Sequence, residues 1–130
     1  MNIFVDTNIL IDYSLDRDSL LTELFARQKR KEIILKINPI VAAEFLADQN
    51  LGSSKGKEER ASQFLQFFES IDISLKEGIL AARLLREKRI PFLADALIAA
   101  TCLNNDFQLA TRNRKHFAKV PQLQFYSPEV

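Results

Sequence analysis

The sequence predicts an α/β fold with a mostly parallel sheet of about five strands, covered by helices on both sides. Three observations predict it. Short β-rich runs alternate with helical periods along the chain, the pattern of strands joined by helical crossovers. The first run, Ile3-Phe4-Val5, is continuously apolar, as a strand buried on both faces must be. Asn38-Pro39 marks a helix start directly after a second such run, with Asn as the cap and Pro in the first turn.

The elements follow in order. After Ile3-Phe4-Val5, Thr7 and Asn8 can cap a helix that begins with Ile9-Leu10-Ile11. Leu20, Leu21, Leu24 and Phe25 share one helical face. Ile33 to Ile37 is a second strand, and the helix after Pro39 carries Glu44. Leu51 to Lys57 holds two glycines and two serines and is the best flexible-loop candidate. Ala61, Phe64, Leu65 and Phe68 mark an amphipathic helix. Ile71, Ile73 and Leu75 alternate as a third strand would. Leu80/Leu84 and Ala81/Leu85 mark the next helix, which Pro91 breaks. An apolar helix from about Phe92 to Leu103 carries Asp95. Leu109-Ala110-Thr111 and Leu123 to Tyr126 complete the strands.

At 130 residues the chain reads as a single domain, residues 1–130, long enough for a real core. Its 47% hydrophobic and 27% charged residues are those of a soluble globular protein. No apolar run approaches the roughly 18 residues of a membrane span. No basic leader precedes the first strand, so a signal peptide is not expected. One cysteine, Cys102, lies in an apolar helix and reads as core, which fits a cytoplasmic protein. A single His and a single Cys cannot build a zinc cluster. The net charge of +1 makes no polycation, but Arg27 to Lys31, Arg83 to Arg89 and Arg112 to Lys119 are locally basic. The first two runs read equally well as solvated surface. The third lies beside a candidate site and is weighted toward phosphate contact.

Three acids stand alone in apolar surroundings. Asp6 closes Ile3-Phe4-Val5, Glu44 interrupts Ile40 to Ala47, and Asp95 is the one charge between Phe92 and Leu103. None has a Lys or Arg three or four residues away that would neutralise it along a helix. Burying an unpaired carboxylate is costly. A shared divalent cation, Mg²⁺ or Mn²⁺, accounts for all three at once, because carboxylate oxygens suit these ions. Each acid also has a plainer reading. Asp6 can be a helix cap, Glu44 an exposed helix residue with Asp48 one turn on, and Asp95 a first-turn acid after Pro91. The coincidence of three favours the metal. His116 invites a general-base reading, but a packing and hydrogen-bonding anchor for the preceding loop is preferred.

Four segments, in order, resemble one family. NIFVDTNILID at residues 2–12 looks like the opening of a PIN-domain ribonuclease. PIVAAEF at 39–45 resembles its second acidic motif, ADALIAAT at 94–101 its third, and LATRNRKHF at 109–117 its fourth segment. The subgroup most similar is the VapC-type toxins of prokaryotic toxin–antitoxin pairs. The resemblance implies a three-layer α/β/α fold and Mg²⁺- or Mn²⁺-dependent cleavage of RNA phosphodiester bonds. It implies Asp6, Glu44 and Asp95 as metal ligands and catalytic acids. It makes Thr7, Asn8 and Thr111 supporting polar residues. The family often carries a fourth acid where this chain has Asn113, a neutral amide counted here with the catalytic set. Arg112, Arg114 and Lys115 would hold the RNA backbone, which gives affinity but little sequence choice. The implied partners are an RNA substrate, a second copy of the chain, and a small antitoxin in a hetero-oligomer. A segment of that antitoxin would lie in an apolar groove and send a basic residue toward the acids. Two other readings compete. A degenerate PIN domain would bind RNA or protein without cutting, and Asn113 is its support. A receiver-like phosphoacceptor domain expects two adjacent acids after the first strand, where this chain has Asp6-Thr7.

Overall fold

The computed structural model describes residues 1–17, 20–48 and 55–128. Four strands form one sheet in the order β3-β2-β1-β4. They are β1 (Asn2–Val5), β2 (Ile34–Ile37), β3 (Glu69–Ser70) and β4 (Gln108–Ala110). Every pairing is parallel, with Phe4 opposite Lys36 on one side and Leu109 on the other. Among the described residues seven α-helices flank the sheet: α1 (Thr7–Ser14), α2 (Leu20–Lys29), α3 (Pro39–Leu46), α4 (Lys55–Phe64), α5 (Leu75–Arg86), α6 (Leu93–Asn105) and α7 (Arg114–Phe117). Because β1 is central, Ile3, Phe4 and Val5 are wholly buried, as their unbroken apolar run requires. Among the described residues no helix is long and apolar enough to cross a membrane.

The strand order reverses direction at β1. The chain moves outward from β1 through β2 to β3, then returns to the opposite side of β1 for β4. Such a reversal opens a crevice at the carboxyl ends of the strands. Asp6 follows β1, Asn38 follows β2 and Thr111 follows β4, so all three stand at that edge. The Asp6 amide donates to Ala110 O at 2.9 Å and locks the two strand ends together.

Several expectations need correction. The third strand is not Ile71 to Leu75 but Glu69–Ser70. Ser74 and Glu77 form a reciprocal capping box, which starts α5 and leaves Leu75 80% exposed. The fifth strand is reduced to one parallel bridge, Leu109 with Phe125, so the sheet has four strands. The cap of α1 is Asp6 rather than Thr7 or Asn8: its carboxylate accepts from the Thr7 amide at 2.8 Å. Of the proposed loop at 51–57, residues 51–54 lie outside the described residues, and Lys55 to Lys57 open α4. The helix after Pro91 begins at Leu93 with Phe92 as its cap. The short α7 was not expected. Asn38 behaves as its sequence predicts, accepting from the Val41 amide at 3.1 Å and so fixing the start of the helix that carries Glu44.

Candidate active site

Asp6 is the buried member of the acidic set, 4% exposed. Both its oxygens are used. Oδ1 accepts from the Thr7 amide at 2.8 Å, and Oδ2 accepts from the Thr111 hydroxyl at 2.7 Å. Thr111 Oγ1 in turn accepts from the Asn113 amide at 3.0 Å. A relay of donors therefore runs from the loop after β4 to the acid after β1. Thr7 turns its own hydroxyl the other way and donates to Glu44 Oε1 at 2.7 Å.

Glu44 lies on α3 and is exposed. Its apolar sequence neighbours suggested burial, and the structure corrects this. Val41 and Phe45 turn inward while Glu44 is exposed and reaches the Thr7 hydroxyl. Asp95 sits in the first turn of α6 with its side chain 18% exposed. Its Oδ2 lies 3.5 Å from His116 Nδ1. The plainer readings of Asp6 as a cap and Asp95 as a first-turn acid are thus correct locally, and they are compatible with a common site.

The three acids share an electrostatic neighbourhood. Burial pushes the Asp6 carboxyl above its ordinary range, and the charges of Asp95 and Glu44 push it further. The bonds from Thr111 and Thr7 oppose that rise. Asp95 is also raised, first by burial and then by Glu44, against the pull of His116. Like charges gathered without a counter-ion disfavour ionisation. Among the described residues no three acids or imidazoles close on one point as a finished metal cage. All the candidate donors are oxygens on a partly desolvated rim, which is the donor chemistry of Mg²⁺ or Mn²⁺ rather than zinc.

The other predicted residues divide. Thr7 and Thr111 are bonded directly to the acids, and Asn8 is half-buried in the first turn of α1. Asn113 enters through its backbone and makes no side-chain cap bond to α7. Arg112 and Lys115 are exposed in the same segment. Arg114 has a different occupation. It donates to Tyr126 O at 2.9 Å and Ser127 Oγ at 3.0 Å, and its guanidinium lies 5.2 Å from the Phe125 ring centre. These bonds tie the exposed Arg114 to the C-terminal segment. His116 does pack as an anchor, with its ring 5.9 Å from that of Phe92, but it anchors to Asp95 itself. Cys102 is buried, with its thiol pushed up by desolvation and by Asp6. Phe92 is an exposed aromatic at a cap position where polar residues are preferred.

Two neighbouring cavities of about 420 and 430 Å³ share Tyr13 and Phe64 as lining. Phe45 lines one, and Phe25 and Phe67 line the other. Tyr13 stacks on Phe64 with ring centres 5.6 Å apart.

The PIN domain family matches residues 3–123. The chain is 28% identical over 132 residues to "Ribonuclease VapC" of Rickettsia bellii (strain RML369-C), covering 95% of this chain and 94% of that one. Two solved structures are similar. A chain of VapBC2 from Rickettsia felis, bound to a DNA fragment from their promoter, is 28% identical with a TM-score of 0.74, covering 99% of this chain and 100% of that one. A chain of a toxin–antitoxin complex from Klebsiella pneumoniae is 29% identical with a TM-score of 0.71, covering 97% of this chain and 99% of that one. The family match runs from β1 through the last segment of the site, and the chain belongs to the PIN-domain family.

Proposed function

We propose that this protein is a divalent-metal-dependent endoribonuclease, the toxin of a VapC-type toxin–antitoxin pair. The observation that carries the proposal is that Thr7 bonds two acids at the switch in strand order, Asp6 through its amide and Glu44 through its hydroxyl, with Asp95 acting on Asp6 by its charge. The relatives named above support the same reading.

Asp6, Glu44 and Asp95 would hold Mg²⁺ or Mn²⁺. The chemistry such an ion supplies when bound is charge neutralisation at the phosphate and activation of water for in-line attack. The residues of the chain do the rest. Thr7 orients Glu44 and Thr111 orients Asp6, each by one charge-assisted hydrogen bond. Asp95 is oriented by His116. Arg112 and Lys115 offer positive charge to the RNA backbone. Asn113 keeps the β4 loop against Thr111. Its amide adds no negative charge to the cluster.

The partner implied is a small antitoxin protein. The aromatic groove along Tyr13, Phe45 and Phe64 suits an apolar segment of it, beside the helix that carries Glu44. A basic residue from that segment would neutralise the acids as a cation does. A homodimer within a toxin–antitoxin assembly in the cytoplasm completes the reading.

The test is cleavage of single-stranded RNA by the purified protein, with Mn²⁺ or Mg²⁺ and again in chelator. Cleavage should require the metal, and Asp6→Asn, Glu44→Gln and Asp95→Asn should each lower the rate by about 100-fold or more. Near-wild-type cutting by all three variants, or full activity in a rigorously metal-free sample, refutes the assignment.

A further inference from the structure

Phe92 is out of place by ordinary rules. It is 55% exposed, although its neighbour Ile90 is buried. It occupies the cap of α6 and supplies no capping bond, where Ser, Thr, Asp or Asn would stabilise the helix. Neither packing nor helix capping accounts for a phenylalanine there. Its ring does have one defined neighbour. His116 lies 5.9 Å away, ring centre to ring centre, with the planes inclined at 56°. His116 in turn touches Asp95 at 3.5 Å. The two rings therefore stand directly outside the acidic cluster, within reach of a nucleotide flanking a phosphate held there. Lys115 adjoins His116 and is exposed, and Arg89, three residues before Phe92, is exposed and lies 3.9 Å from Glu87.

We infer that the exposed Phe92 ring, set beside His116, is a stacking platform for one unpaired base of single-stranded RNA, next to the phosphate at the acids. This rests on the ribonuclease reading. Aromatic faces recognise splayed-out bases by stacking, and every base has such a face, so the contact favours single strands over duplex without choosing sequence. Phosphate contacts alone cannot make that distinction, because duplex and single strand both carry them. The platform thus supplies a strand-type preference that the acids and the basic residues lack. His116 stands between Phe92 and Asp95 and so sets the ring beside the acid.

The chain contains no tryptophan, so Phe92→Trp creates a single reporter at the platform. Leu75→Trp, 80% exposed at the far end of α5, is the control. In chelator, a short oligoadenylate should quench Trp at position 92. An abasic phosphodiester strand of equal length should quench it far less, and neither should affect Trp at position 75. In Mn²⁺, Phe92→Ala should raise KM for single-stranded RNA by about tenfold with a smaller change in kcat, and Phe92→Trp should restore it. Equal responses to the abasic strand, no response at position 92, or an unchanged KM overturns the platform. So does emission at position 92 that depends on protein concentration instead of RNA, which would mean that a second copy covers the ring. The two readings fail separately. Wild-type cleavage with an unaffected Phe92→Ala defeats the platform alone. Base-dependent quenching by a protein that cuts no RNA defeats the ribonuclease reading alone.

Discussion

Thr7 and Glu44 are joined by a 2.7 Å hydrogen bond that crosses from α1 to α3. Thr7 is buried and Glu44 is exposed, so the bond tethers a mobile type of side chain to a fixed one. Thr7→Val removes the donor and keeps the shape. Partners that orient a metal-binding carboxylate are typically worth 10–100-fold in affinity or activity. We expect a loss in that range for Mn²⁺ binding and for RNA cleavage, with Thr7→Ser close to wild type. Equal Mn²⁺ affinity for Thr7→Val and wild type by calorimetry would show that Glu44 needs no tether.

Asp95→Asn tests the charge repulsion directly. Asp6 and Asp95 both have raised carboxyl pKa values in the folded protein, chiefly through burial. A raised folded value means that the fold binds the proton more tightly than the unfolded chain. That contribution favours folding at low pH and is lost as pH rises from the ordinary carboxylate range through the folded values. At neutral pH the metal-free protein is therefore strained, and Asp95→Asn should keep or raise its melting temperature, where most substitutions lower it. Saturating Mn²⁺ should stabilise wild type, by about 2.7 kcal/mol at a hundredfold excess over Kd, and the variant much less. Melts in chelator across pH, and again with metal, are the measurement. A destabilised metal-free variant with an undiminished metal response would mean that Asp95 serves only as a first-turn helix residue.

Asn38 is fully buried between α3 and α6. Its oxygen caps α3, and its amide donates to Thr101 Oγ1 at 3.0 Å. Thr101 passes its own proton to Leu97 O at 2.8 Å. Asn38→Ala deletes a cap worth about 1 kcal/mol and leaves a buried hydroxyl without its donor. A loss of about 2–3 kcal/mol in denaturant unfolding is expected. A change below about 0.5 kcal/mol, the range of ordinary surface substitutions, would show that solvent replaces both bonds.

Arg114 and Lys115 should separate cleanly despite being adjacent. Arg114→Ala releases Tyr126 O and Ser127 and should cost about 1 kcal/mol of stability, while the salt dependence of RNA binding stays unchanged. Lys115→Ala should leave the melting temperature alone and lower the salt slope by about one phosphate contact. The opposite pattern in binding titrations at several salt concentrations would return Arg114 to the RNA face.

Much of the fold was legible because the relevant signals are local. The unbroken apolar run of β1 and the Asn38-Pro39 start are decided within a few residues. The third strand failed because two local patterns competed over Ile71 to Leu75. Alternation pointed to a strand, but Ser74 and Glu77 form a capping box, and a box satisfies backbone amides that alternation cannot. The acids were found by their isolation in the sequence. That argument assumed burial, which holds for Asp6 and fails for Glu44. A helix of mostly small and apolar residues can still present one acid to an open crevice. The tie of Arg114 to Tyr126 and Ser127 was not legible because these partners lie more than ten residues away, beyond the reach of spacing rules. Phe92 gave no periodic signal at all.

The bond from Thr111 to Asp6 joins residues 105 positions apart. β1 is made before β2, and its second neighbour, β4, follows only after the six helices α1 to α6. Contacts of such long range form only after the intervening chain has closed its loop. The acid after β1 cannot be held in its final orientation until the loop after β4 has emerged. The sheet order therefore acts as a timer. A chain made only as far as α6 carries all three acids without the hydroxyl that aims the first of them.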